Sequence, residues 1–231
     1  MPRLVLFDID GTLLHTSGAG LRGMTLAFVD LYGRERALEG IPFAGRTDRA
    51  IVTDAMRRIG VDPTGAEIAR LRAAYIAHLP RELANPVPGK PHQIIPGVTD
   101  LLTALDPEPQ VITALLTGNF LEGAIAKLGH FGIWERFAFG AFGDDHLDRR
   151  DLVPIGLQRA AEAGHGRVPL HHVMVIGDTP NDIDCARAHG ARSIGVTTGP
   201  FDRATLERAG ADLVVDSLGE IEPILSLIRS A

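Results

Sequence analysis

The chain has almost no cysteine, no surplus of positive charge and no long hydrophobic run. Its single cysteine, Cys185, leaves no partner for an internal disulfide and fits a reducing compartment. The opening apolar stretch, Leu4 to Phe7, is too short for a signal sequence or a membrane span, and no basic region, apolar region and cleavage site follow one another. A cytoplasmic protein with no membrane partner is therefore expected. A net charge of −6 argues against a nucleic-acid partner. Internal repeats and low-complexity segments are also missing.

What remains is ordinary in bulk and uneven in detail. At 231 residues and 45% hydrophobic, the chain can build one large domain or a core with a modest second unit. Residues 16–92 carry 11 basic and 8 acidic side chains, whereas the remainder carries 12 basic and 21 acidic ones. A basic portion suits an anionic ligand and an acidic portion suits a cation, unless both are merely solvated faces.

The stretch Leu4-Val-Leu-Phe-Asp-Ile-Asp-Gly-Thr-Leu-Leu14 organises the chain. Its apolar run has the length of a strand buried on both faces. It ends in Asp8 and Asp10, which lie on one side of a regular strand. Two such carboxylates repel each other unless a cation lies between them. A polar turn, where Asp and Gly are common, is the plain alternative.

Between residues 16 and 92 the apolar spacing is helical, at Leu21–Leu31, Thr47–Ile59 and Ala66–Leu83. Thr64 and Glu67 have the spacing of a capping box for the third helix. Beyond residue 93 strands alternate with helices. Strands are expected at Val111–Thr117, Phe137–Phe142, His172–Gly177, Ser193–Thr197 and Leu213–Val215. Helices are expected at Val98–Leu105, Phe120–Phe131, Leu152–Ala163, Thr179–His189, Asp202–Ala209 and Ile221–Arg229. Such alternation implies an α/β fold, a doubly wound parallel sheet with its ligand crevice at the carboxyl ends of the strands. Three strand ends carry chemistry rather than plain turns: Asp8-x-Asp10, Thr117-Gly-Asn119 and Gly177-Asp178-Thr-Pro-Asn-Asp182.

Asp8-Ile-Asp10-Gly-Thr-Leu13 after one apolar strand, with Gly177-Asp178-Thr-Pro-Asn-Asp182 after another, closely resembles the haloacid dehalogenase-like hydrolase superfamily. Within it the chain is similar to phosphoglycolate phosphatase-like members that carry a small helical cap. The resemblance implies a Rossmann-like core of residues 1–15 and 93–231 with a helical cap domain at 16–92. It implies a Mg²⁺-dependent phosphatase of a small phosphorylated metabolite, acting as a monomer or homodimer.

By the same resemblance, Asp8 is the nucleophile, and Asp8, the main-chain carbonyl of Asp10 and Asp178 hold Mg²⁺. Asp182 stands behind the ion or reaches it through water. Asp10 donates a proton to the leaving alkoxide and later takes one from water. Thr117 binds a phosphoryl oxygen, with the Gly118 and Asn119 amides nearby. The family's usual bridging lysine has no evident counterpart, because Lys90 and Lys127 are badly placed in the sequence. Arg149 or Arg150, just before a helix, is expected to replace it, Arg149 slightly favoured. Arg22, Arg46 and Thr47 are the cap candidates for contacting substrate. His15, His146, His171 and His172 lack a metal-ligand spacing, and Cys185 reads as packing. Two alternatives stay open: a sugar-phosphate mutase using the same residues, and a phospho-accepting or metabolite-sensing module without turnover.

Overall fold

Leu4, Val5, Leu6 and Phe7 are all fully buried, so the first strand is covered on both faces, as its unbroken apolar run requires. The computed structural model of the protein describes residues 1–230. Its strands are β1 (Arg3–Phe7), β2 (Leu14–Thr16), β3 (His92–Ile94), β4 (Val111–Leu116), β5 (Gly140–Ala141), β6 (Val173–Gly177), β7 (Arg192–Val196) and β8 (Leu213–Val215). Six of them form a parallel sheet in the order β5-β4-β1-β6-β7-β8. The chain winds outward from β1 to β5 and then returns to β6 on the other side of β1. That reversal puts the ends of β4, β1 and β6 side by side, where such sheets open a ligand crevice.

Helices cover both faces. Val5 and Phe7 pack with α4 (Val98–Leu105), α5 (Leu121–His130) and α9 (Ile221–Arg229). Leu4 and Leu6 pack with α6 (Leu152–Glu162) and α7 (Pro180–Arg187). One further helix, α8 (Arg203–Ala209), joins β7 to β8.

The inserted segment forms α1 (Ala19–Tyr32), α2 (Asp48–Arg58) and α3 (Gly65–Ala84). Phe28, Met56, Leu71 and Tyr75 belong to its own apolar cluster, which reaches the sheet part through Phe120. Among the described residues, no helix is long and apolar enough to cross a membrane.

Two local expectations need correction, and one element is additional. The two chain passages between sheet and helices form an antiparallel ribbon, with Leu14 opposite Ile94 and Thr16 opposite His92. Three-residue strands are too short to leave a periodic signal. The strand expected at Phe137–Phe142 shrinks to Gly140–Ala141, because only those residues reach register with Leu115 and Leu116 at the sheet edge. The capping box at Thr64 is half made. Thr64 accepts from the Glu67 amide, but the Glu67 carboxylate accepts from Tyr32 Oη at 2.6 Å instead.

Candidate active site

Asp8 leaves the sheet in strand direction, its amide donating to Ile176 O at 3.0 Å. The chain then turns at Gly11, whose φ of 83° favours glycine; a side chain there would also strike Asp178. Thr12 donates its hydroxyl to Asp178 Oδ1 at 3.0 Å, fixing the acid at the end of β6. Thr179 and Asp182 make a full capping box at the start of α7. Oxygens of Asp8, Asp178 and Asp182 lie within 4.8 Å of one another, all three residues buried.

One guanidinium stands among them. Arg149, in the 3₁₀ turn before α6, places Nη2 2.9 Å from Asp8 Oδ1 and 2.5 Å from Asp182 Oδ1. Its own carbonyl accepts from the Cys185 thiol at 3.0 Å. Burial pushes Asp8 up to about 6 despite Arg149, with Asp182 and Asp10 adding to the rise. Burial also lifts Asp178 well above the usual carboxylate range, helped by Asp182 and Asp8. Three crowded carboxylates offset by a single arginine leave hard oxygens short of positive charge, which fits a divalent cation such as Mg²⁺. Both Asp182 oxygens are already engaged, Oδ1 by Arg149 and Oδ2 by Thr179.

Asp10 is held separately. Lys127 Nζ donates to its Oδ2 at 2.6 Å and Asn119 Nδ2 donates to the same oxygen at 2.8 Å. Asn119 Nδ2 also donates to Thr117 Oγ1 at 2.8 Å. So Asp8, Asp10, Thr117, Gly118, Asn119, Arg149 and Asp178 meet around one cavity of about 640 Å³, whose other wall comes from α1, α2 and α3.

Sequence reasoning misjudged several positions. Lys127 is not remote: it sits on α5 with 4% exposure, and its long stem carries the ammonium to Asp10. Arg150, adjacent to Arg149, points the other way and pairs with Asp148 at 2.8 Å on the exposed surface. Arg22 stays outside the cavity, tied to Glu82 Oε2 at 2.7 Å and to the Ser17 carbonyl. Thr47 is buried but spends its hydroxyl on capping α2 and on Leu147 O at 2.9 Å. Arg46 does line the cavity, with Nη2 2.6 Å from Asp54.

Asp48 was missed altogether. The partly buried first residue of α2, it donates its amide to Gly118 O at 2.6 Å and accepts from Phe120 N at 3.0 Å. Its place just after a helix cap was the available signal. Among the histidines, His15 lines the cavity, and burial lowers it below the ordinary histidine value. His146 pairs with Asp151 at 2.7 Å outside the cavity. Burial pushes the Cys185 thiol up to about 12, which suits packing rather than attack.

A family model described as haloacid dehalogenase-like hydrolase matches residues 2–190. A phosphoglycolate phosphatase of Pectobacterium atrosepticum is 25% identical, the match covering 96% of this chain and 92% of the relative. Phosphoglycolate phosphatase 1 of Pseudomonas aeruginosa is 29% identical, covering 96% and 79%. A hydrolase from Pseudomonas syringae superposes with a TM-score of 0.70 at 23% identity, covering 99% of each chain. The phosphate complex of CbbY from Rhodobacter sphaeroides does so with a TM-score of 0.70 at 22% identity, covering 96% of each. The two structures speak for the fold, and the family match carries the assignment: the chain belongs to the haloacid dehalogenase-like hydrolases.

Proposed function

We propose that the protein is a Mg²⁺-dependent phosphatase that hydrolyses a small phosphorylated metabolite through an aspartyl-phosphate on Asp8. The observation that carries this is the convergence of oxygens of Asp8, Asp178 and Asp182 within 4.8 Å, with Asp8 and Asp178 lining the shared cavity. Asp8, Asp178 and the main-chain carbonyl of Asp10 would hold Mg²⁺, which when bound offsets the negative charge of carboxylates and phosphate. Asp182, with both oxygens taken, instead fixes Arg149.

In the first half-reaction one Asp8 oxygen bonds to phosphorus while the bond to the leaving oxygen breaks. Asp10 gives that oxygen its proton. Arg149 lies against the nucleophile and lines the cavity, so its charge can span Asp8 and the transferred oxygens. Thr117 offers its hydroxyl, and Lys127 and Asn119 keep Asp10 in position. In the second half-reaction Asp10 takes a proton from water, which attacks phosphorus and releases Asp8 and inorganic phosphate.

The helical segment 16–92 acts as a cap on the core of residues 1–15 and 93–231, excluding water during transfer. The paired ribbon of β2 and β3 is its natural hinge. A receiver-like module without turnover needs neither this cap nor Asp10, and the phosphatase names of the sequence relatives favour hydrolysis over the mutase alternative. Phosphate release from a chromogenic monoester with Mg²⁺ tests the proposal. Activity should disappear on chelation and fall at least about 10³-fold in Asp8→Asn. Equal rates in Asp8→Asn and the parent protein would overturn it.

A further inference from the structure

The cavity is larger than a two-carbon phosphoester requires, and its upper half offers such a molecule little. At about 640 Å³ it lies in the middle of the range that holds drug-sized ligands. Leu21, Met24, Phe43, Ile51 and Tyr75 line it from the helical side.

The charges around it are already committed. Arg46 is 2.6 Å from Asp54, Lys127 is 2.6 Å from Asp10, and Arg149 is 2.9 Å from Asp8. Four carboxylates line the cavity: Asp8 and Asp178, which would hold Mg²⁺, and Asp10 and Asp48, which face the rest of the substrate. Asp48 brings a further carboxylate from the helical side itself, raised by burial to about 6. A second anionic group on the substrate, such as the carboxylate of phosphoglycolate, would meet Asp10 or Asp48 and find every lining cation paired. Burying a charge without a free counter-ion is expensive, whereas an apolar group gains from each such contact.

We infer that the substrate is a phosphate monoester whose leaving group is uncharged and largely apolar, bulkier than a two-carbon acid. This rests on the phosphatase proposal, and it sets the chain apart in substrate from the relatives named for phosphoglycolate.

The test compares kcat/KM for benzyl phosphate and 2-phosphoglycolate in the Mg²⁺-loaded full-length protein, with p-nitrophenyl phosphate as a reference. Benzyl phosphate should be preferred by at least about tenfold, the scale on which apolar pockets discriminate. Leu21→Arg puts a free cation on the cavity wall at a residue already 47% exposed, so folding is spared. It should raise kcat/KM for 2-phosphoglycolate and lower it for benzyl phosphate. Equal or better turnover of 2-phosphoglycolate by the parent protein overturns the inference while leaving the phosphatase proposal standing. No turnover of any of the three esters overturns the phosphatase proposal, and the inference with it.

Discussion

Arg149 and Arg150 are neighbours in sequence with opposite surroundings, the one 7% exposed against Asp8 and Asp182, the other on the surface with Asp148. Arg149→Ala should lower kcat by about 10²–10³-fold, the usual cost of removing one preorganised donor, while Arg150→Ala leaves it unchanged. Steady-state assays of both variants check this, and a reversed ranking would contradict it. Lysine at 149 should recover part of the loss, because Nη2 alone meets both Asp8 and Asp182 and an ammonium can carry that charge on a shorter stem.

A pH prediction also belongs to single residues. Asp8 has an ordinary value of 3.8 and is raised to about 6 by burial in the folded protein. Between those values the folded state binds more protons than the unfolded one, so stability falls as pH rises through that window. Relative to Asp8→Asn, the metal-free protein should therefore lose melting temperature between about pH 4.5 and about pH 7. Mg²⁺ competes with protons for the same oxygens and should raise the melting temperature more at the higher pH. Equal Mg²⁺ shifts at both pH values in thermal melts would contradict this.

The pair Asp8 and Asp10 was legible in the sequence because both acids belong to one turn. Lys127 and Asp48 were not, since a long stem and a helix docking from another part of the chain bring them in.

Elements set how closely the two parts of the molecule meet. Gly118, at the end of β4, faces the carbonyl of Arg46 so closely that an added Cβ would collide with it. The clash involves backbone and cannot relax by a rotamer change. Gly118→Ala should push α2 off the sheet edge and raise KM strongly, with urea unfolding of the sheet changed little. Crystallography or kinetics on that variant decides the matter: an unchanged KM would mean that this approach does not shape the site. The main strands and helices were legible because they are long enough for periodicity to speak. The β2–β3 ribbon and the edge strand β5 were not, as their two or three residues are fixed by pairing rather than by pattern. Glu67 could have completed a cap, but Tyr32, distant in sequence, offered a better partner.

Across the whole molecule the uneven charge has a second use. The basic excess of residues 16–92 invited an anionic ligand, yet Arg72 pairs with Glu122 and Asp144 across the divide, and Arg49 donates to the Asp144 carbonyl. Part of that excess therefore docks the helices on the acidic sheet part. Such half-exposed pairs contribute little to stability, at most about 1 kcal/mol each. Arg72→Ala should accordingly shift the unfolding midpoint only slightly, while making KM less sensitive to salt. The alternation of strands and helices made the overall architecture legible, and the return of the chain across β1 accounts for where its chemistry gathers.

The covalent step on Asp8 can be observed directly. Rapid acid quench of the Mg²⁺-loaded protein turning over a ³²P-labelled monoester, followed by peptide mapping, should find the label on the peptide carrying Asp8, and none in Asp8→Asn. Label on another residue, or turnover with no labelled protein at any quench time, would contradict the account.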